Sequence, residues 1–287
     1  MGARQFIKRA LMGTLARKEK VVVPLLEGTL LEGRRALVTG GTGGIGYAIA
    51  EAFLANGSAV CVTGRDGERA ARAAERLGAG AHGIALDNSD PDGFSEGFDR
   101  AEDALGGRID LIVNNAGVIA GGRYGGVTIQ DWDRTLDTNL RGAYFLSQEF
   151  VRRLTAESGQ GGSPRCKVGN ILNVASSSSL RPAISPYTVS KWGLRGFTLG
   201  LAKTLAPLGI VVNGVAPGPT ATPMLLGGDC SNLDLPTSPV GRYAAPEEIA
   251  NMAVVLCSSM GDMVVGDIVY MTGGAGLVTF DDIGYGF

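Results

Sequence analysis

The sequence predicts an α/β protein built on one doubly wound, mostly parallel sheet of seven strands, with helices on both faces and a single domain. Three observations carry this. Short runs rich in Val, Ile and Ala alternate with longer segments of helical spacing. The runs are apolar on both faces, as strands covered from both sides must be, and such alternation implies parallel strands joined by right-handed crossovers. Glycine supplies 45 of 287 residues, well above its usual share of about 7%. It gathers at the ends of the apolar runs, where strands give way to loops that approach a ligand closely.

In chain order, strands are expected at 35–39, 59–63, 81–86, 109–114, 168–174, 210–215 and 267–271, and helices at 45–56, 68–77, 91–105, 129–154, 187–205 and 246–258. The first strand enters a glycine-rich turn, the second closes at Gly64, the third at Asp87 and the fourth at Asn114-Asn115. The fifth runs into the serine tract 176–179, the sixth into Pro217-Gly218, and the seventh into Gly273-Gly274. Residues 1–30 read as a basic N-terminal arm carrying Arg4, Lys8, Arg9, Arg17 and Lys18, with Ile7, Leu11 and Leu15 at helical spacing. The domain is expected over 31–287, with a substrate lid at about 223–243 that contains Met224, Leu225, Leu226, Asp229 and Asp234. The tail ends in Ile283, Tyr285 and Phe287, apolar groups suited to subunit contact.

Composition excludes several classes of function. With 26 basic and 28 acidic side chains the net charge is −2, and nucleic acid is not an expected partner. The apolar stretches fall short of the ~20 residues needed to span a bilayer, and the arm lacks the long apolar stretch and cleavage site of a signal peptide. Arg4 falls on the arm's apolar side, so the arm is expected to pack on its own protein or a neighbouring subunit rather than on a membrane surface. Cys61, Cys166, Cys230 and Cys257 contain no CxxC pair; they read as buried small hydrophobes in a reducing, cytoplasmic protein. The single histidine, His82, cannot supply a metal cluster and a Ser-His-Asp triad, and there is no GxSxG elbow, so no metal and no hydrolase chemistry of that kind is expected.

Between the first strand and first helix lies Thr39-Gly40-Gly41-Thr42-Gly43-Gly44-Ile45-Gly46. Glycine allows positive φ and close backbone approach to a pyrophosphate, and the amides of the following helix face the anion. The context of strand, turn and helix makes this a dinucleotide site. About 20 residues on, where an acid would bind the ribose of NAD, stands Thr63-Gly64-Arg65-Asp66. Gly64 replaces the acid and Arg65 offers a planar fork to a 2′-phosphate, favouring NADP(H) over NAD(H). Asp66 either neutralises Arg65 or itself reaches the ribose.

After the fifth strand, Tyr187 and Lys191 lie four apart at the start of a helix, so both side chains emerge on one face. An ammonium within about 4–6 Å favours a phenolate, bringing a poor acid and base into a useful range.

These features together resemble the short-chain dehydrogenase/reductase family in its compact single-domain branch. The matching motifs are TGxxxGxG at 39–46, Asn114-Asn115-Ala116-Gly117, Asn139, Ser176, YxxxK at Tyr187 and Lys191, and Pro217-Gly218. The resemblance implies a Rossmann fold and hydride transfer between a nicotinamide and a small-molecule carbonyl or alcohol. It implies that Tyr187 transfers the substrate proton, that Lys191 holds the nicotinamide ribose and biases the tyrosine, that Ser176 polarises the carbonyl, and that Asn139 binds a relaying water. The serine lies only eleven positions before the tyrosine, which leaves Ser177 and Ser178 as alternatives. Cofactor contacts are implied at Gly40, Thr42, Gly44, Ile45, Gly46, Arg65, Asp87, Asn115, Ala116, Gly117, Tyr187, Lys191, Pro217, Gly218, Thr220 and Thr222. Asp87 reads equally as a turn residue. A homodimer or homotetramer is implied too. The competing reading is a cofactor-binding sensor or scaffold with little turnover; an intact Asn139, Ser176, Tyr187 and Lys191 set favours the enzyme.

Overall fold

The apolar runs form the strands β1 (Arg35–Val38), β2 (Ala59–Gly64), β3 (Ala81–Ala85), β4 (Leu111–Asn114), β5 (Gly169–Val174), β6 (Ile210–Pro217) and β7 (Ile268–Met271). This is a computed structural model describing residues 23–122, 124–157, 167–228, 230 and 232–275. The strands lie in the order β3-β2-β1-β4-β5-β6-β7 and every ladder is parallel. Sequence order therefore reverses between β1 and β4. At such a switch point the connections leave in opposite directions and open a crevice beyond the strand carboxyl ends.

The helices are α1 (Gly44–Leu54), α2 (Gly67–Leu77), α3 (Phe94–Leu105), α4 (Ile129–Leu136), α5 (Gly142–Glu157), α6 (Pro186–Leu205), α7 (Pro223–Leu226) and α8 (Pro246–Cys257). One core layer packs α1, α2 and α8 on the sheet through Ile49, Phe53, Ala73, Ile249 and Val254. The other packs α3, α5 and α6 through Phe98, Leu146, Phe150 and Leu205. Each fully buried side chain of this size contributes roughly 1.5–3 kcal/mol. All six residues of β5 and all eight of β6 are buried, which is why their sequences read as continuous rather than alternating apolar runs.

Asparagines interrupt those runs, and each has a partner. Asn114 Nδ2 donates to Ser147 Oγ (3.0 Å) and Asn173 Oδ1 (2.8 Å), while Asn173 Nδ2 donates to Thr198 Oγ1 (2.8 Å). This buried chain of amides and hydroxyls fixes β4 and β5 against α5 and α6 beneath the crevice.

Two expected helices differ in form. The segment expected as one helix over 129–154 is α4, a wide π turn over Asp137–Arg141, and α5. Thr128 and Asp131 form a capping box that fixes where α4 starts, and a Cβ on Gly142 would fall within 1.9 Å of the Asn88 carbonyl oxygen, so α5 starts pressed against that loop. The helix expected from Pro91 opens as a 3₁₀ turn, and α3 begins at Phe94.

Residues 1–22 of the arm, with Ile7, Leu11 and Leu15, Cys166, Asp229 and the tail with Ile283, Tyr285 and Phe287 lie outside the described residues. The described start of the chain is tied to the domain: Asn251 accepts from the Leu26 amide (2.7 Å) and donates to the Pro24 carbonyl (2.9 Å). Cys61 and Cys257 are buried as expected, and burial pushes both thiols up to about 12, whereas Cys230 is half-buried. Among the described residues no helix is long and apolar enough to cross a membrane, and no three His, Cys, Asp or Glu side chains gather as a metal site.

Candidate active site

The glycine turn sits at the switch point, and its shape follows from two glycines. Gly40 has φ +63, and a Cβ there would stand 2.9 Å from Ala116 Cα. A Cβ on Gly46 would stand 2.3 Å from Asn115 Nδ2. The turn after β1 and the loop after β4 therefore touch backbone to backbone. Thr39 and Asn115 hold them there: Thr39 Oγ1 accepts from the amides of Asn115 and Ala116, both at 3.0 Å, and Asn115 Nδ2 donates to the carbonyls of Thr39 (2.9 Å) and Gly40 (3.1 Å). Helix α1 begins at Gly43 with no side-chain cap, so its first-turn amides, at Gly44, Ile45 and Gly46, are left to an anion.

Gly64 closes β2 because a Cβ there would come within 2.9 Å of Thr42 Cγ2. Asp66 makes no ion pair with Arg65. It is the N-cap of α2, its Oδ1 accepting from the Arg69 amide at 3.0 Å. Arg65 is exposed at the rim. The structure adds a cation that motif spacing did not single out: an Arg69 guanidinium nitrogen lies 3.9 Å from where a Cβ of Gly43 would stand. One turn of α2 swings it over the glycine turn, so only the position of α2 on the sheet reveals it.

Asp87 follows β3, and its Oδ1 accepts from the Ser89 amide (2.9 Å) and hydroxyl (2.7 Å), a turn of the kind Asp favours. At the far side of the crevice, Gly218 packs against Thr272, Thr220 Oγ1 donates to the Gly218 carbonyl (3.0 Å), and Pro217 ends β6. Thr222 comes back onto the glycine turn, its Cγ2 3.5 Å from where a Cβ of Gly44 would stand. Residues separated by most of the chain thus form one cleft.

Tyr187 and Lys191 occupy the first two turns of α6, which starts where Ser185 and Thr188 form a capping box with Pro186 at the first helical position. Ser176 follows β5. Its hydroxyl accepts from the Ser178 amide (3.1 Å), and of the three serines it is the one whose hydroxyl influences the titration of Tyr187. The Lys191 ammonium lies 5.7 Å from the centre of the Tyr187 ring and donates to the Val174 carbonyl at 2.8 Å.

The electrostatics correct one expectation. Burial pushes the Tyr187 phenol above its ordinary value, and the nearby Ser176 hydroxyl only partly opposes this. Burial likewise pulls Lys191 down to about 8. In the chain by itself desolvation outweighs the attraction between ammonium and phenolate, so the pair is shifted toward its neutral forms.

Asn139, 1% exposed, sits in the π turn. Its Oδ1 accepts from the Val118 amide (2.8 Å), and its Nδ2 donates to the Val118 carbonyl (3.0 Å) and to Ser190 Oγ (3.1 Å). Ser190 Oγ in turn donates to the Tyr187 carbonyl at 2.7 Å. The side chain ties the loop after β4 to the first turns of α6. A widened turn at a functional position is a recurrent use of π geometry.

Comparison with known proteins agrees with this geometry. Residues 40–276 match the family model described as "Enoyl-(Acyl carrier protein) reductase". A 3-oxoacyl-[acyl-carrier-protein] reductase of Aquifex aeolicus is 34% identical over 252 residues, covering 85% of this chain and 98% of that protein. A short-chain dehydrogenase from Burkholderia cenocepacia, solved in complex with NADP, superposes with a TM-score of 0.75 at 33% identity, covering 86% of this chain and 99% of the other. A 3-ketoacyl-(acyl-carrier-protein) reductase from Brucella melitensis, complexed with NADH, gives 0.75 at 29% identity, covering 86% and 100%.

Proposed function

Because this chain belongs to the short-chain dehydrogenase/reductase family, we propose that it is an NADP(H)-preferring oxidoreductase interconverting a carbonyl and a secondary alcohol. Tyr187 is its acid and base. The observation that carries this is the Lys191 ammonium lying 5.7 Å from the centre of the Tyr187 ring, with the Ser176 turn beside the same helix start. One relative binds NADP and another NADH, so the preference rests on Gly64, Arg65 and Arg69 of this chain.

The cleft fits a dinucleotide. Gly40, Thr42, Gly44, Ile45 and Gly46 would hold the pyrophosphate, Arg65 and Arg69 a 2′-phosphate, and Asp87 the adenine side. Asn115, Ala116 and Gly117 would flank the ribose, and Tyr187, Lys191, Pro217, Gly218, Thr220 and Thr222 the nicotinamide end. Bound there, the nicotinamide supplies or accepts the hydride. The Tyr187 hydroxyl gives its proton to the substrate oxygen in reduction and takes it back in oxidation, and the Ser176 hydroxyl donates to the same oxygen. Lys191 stabilises the phenolate left behind. Both Asn139 side-chain N–H groups are committed to protein acceptors, so a relaying water at this residue would be held by its oxygen acceptors, and the water would carry the proton.

Ile119, Ile184, Met224 and Leu225 are more than half exposed, and all four follow strand ends or precede α6 on the crevice side. They suit a substrate with an apolar body, such as an acyl chain or an aromatic ketone, and the 223–243 segment is its lid. On α5 and α6, the Tyr144 ring lies edge-on to Phe145 (5.2 Å between centres) and tilted over Phe197 (5.0 Å), with Tyr144 and Phe145 exposed, an apolar face suited to a homodimer or homotetramer.

The test is a screen with NADPH against ketones, steroids, acyl thioesters and keto sugars, repeated with Tyr187→Phe. Loss of a general acid predicts a drop of about 10²–10⁴-fold in turnover with NADPH affinity kept within a few-fold; undiminished turnover refutes the assignment.

A further inference from the structure

The turn that carries Ser176 is held from outside by residues with no part in the chemistry above. Residues Ser177–Leu180 form a 3₁₀ turn, and the Ser176 carbonyl accepts from both the Ser179 amide (3.0 Å) and the Ser179 hydroxyl (2.7 Å). Ser179 is fully buried and is itself gripped twice. Its carbonyl accepts from Arg195 at 3.0 Å, and its hydroxyl lies 3.3 Å from the Tyr270 hydroxyl. The Arg195 guanidinium sits between two rings, 5.3 Å from the centre of Trp192 and 6.0 Å from that of Tyr270. Trp192 Nε1 closes the other end of the turn by donating to the Arg181 carbonyl at 2.7 Å, and Tyr270 packs against Ala175, the residue preceding Ser176.

These contacts converge on one object. Arg195 and Trp192 come from α6, the helix that carries Tyr187, while Tyr270 comes from β7. Three of the four residues of the turn are serines, whose small side chains give little packing of their own and compete for local backbone bonds in several conformations. A guanidinium held between aromatic faces is fixed in direction at low entropic cost, with each cation–π contact worth about 0.5–2 kcal/mol.

We infer that Arg195, Trp192 and Tyr270 form a positioning clamp that sets the Ser176 hydroxyl against Tyr187, with Arg195 as its centre. The clamp acts through Ser179 and touches neither substrate nor cofactor. The inference builds on the role assigned to Ser176 and Tyr187 above, but its test reads the surroundings of the tyrosine ring directly, without turnover.

The experiment is NMR of the full chain labelled with ¹³Cζ-tyrosine at neutral pH, with the Tyr187 resonance assigned by its loss in Tyr187→Phe. Ser176→Ala defines the displacement that follows loss of the serine hydroxyl. Arg195→Met should displace the Tyr187 resonance in the same direction, and Arg195→Met combined with Ser176→Ala should move it no further than Ser176→Ala alone, because both act on one contact. Arg195→Lys, which keeps a donor for the Ser179 carbonyl, should restore part of the displacement. Tyr270→Phe removes a single hydroxyl and should give a smaller displacement of the same sign, so the test survives an Arg195 variant that does not fold. An unmoved Tyr187 resonance in folded Arg195→Met or Tyr270→Phe, or displacements that add to that of Ser176→Ala, would overturn the clamp. If the clamp stands while Tyr187→Phe retains full turnover, the catalytic assignment alone fails.

Discussion

The Lys191 ammonium donates to the main-chain carbonyl of Val174 at 2.8 Å, so the strand that ends beside Ser176 also anchors the cation behind Tyr187. That anchor is buried, and burial sets its titration. Lys191 loses its proton as pH rises through about 8 instead of near its ordinary 10.5. The free enzyme's kcat/KM for carbonyl reduction should therefore be flat at neutral pH and fall above about 8. A basic limb displaced beyond pH 10 would show that the ammonium is not required.

The same burial has a stability consequence with the opposite sign from function. Between pH 8 and 10.5 the unfolded chain binds the Lys191 proton and the folded chain does not, so the penalty of burying the charge is present below about 8 and is relieved as pH rises toward 10.5. Lys191→Met should remove turnover yet unfold at higher urea than the parent at pH 7, by roughly 1–3 kcal/mol once the lost bond to Val174 is set against it. The advantage should shrink by pH 10. An advantage that stays constant with pH would point to packing instead of charge.

Arg65→Ala and Arg69→Ala should each weaken NADPH far more than NADH, by about 10–100-fold at the roughly 1.5–3 kcal/mol of a hydrogen bond to a charged group. Fluorescence titration with both cofactors checks this, and equal losses on the two would overturn the cofactor preference. Asp66→Ala should lower stability by about 1 kcal/mol through loss of the α2 cap without changing the ratio between cofactors.

Asn139→Ala leaves the Val118 amide and carbonyl and one Ser190 contact without partners in a buried site. Orphaned buried groups cost about 1–3 kcal/mol each, so urea unfolding should register a loss of a few kcal/mol, and turnover should fall with it because Ser190 steadies the Tyr187 backbone. Unchanged stability would show that the π turn holds without this side chain.

The glycine turn was legible because its constraint is local: a strand, a turn needing positive φ at Gly40 and a helix are adjacent in the chain. Tyr187 and Lys191 were legible for the same reason, being one helical turn apart. Arg69 was not, because four residues of α2 had to be placed on the sheet before its guanidinium could be seen over Gly43. Nor was the use of Asp66 as a cap rather than a ligand, since the choice between a helix amide and Arg65 depends on where α2 starts. The π turn within 129–154 was hidden because the residue packed against it, Asn88, which meets Gly142 and donates to the Thr138 carbonyl, comes from a distant loop.

By itself the sequence determined the parallel sheet, the order of its elements, the dinucleotide turn and the tyrosine–lysine pair, because hydrophobic period, glycine placement and helical spacing act over a few residues. Tertiary structure alone decided that burial weighs most on the titration of Tyr187 and Lys191, and that Arg195 reaches the Ser176 turn. These depend on desolvation and on contacts between distant segments, which exist only once the sheet has closed over them.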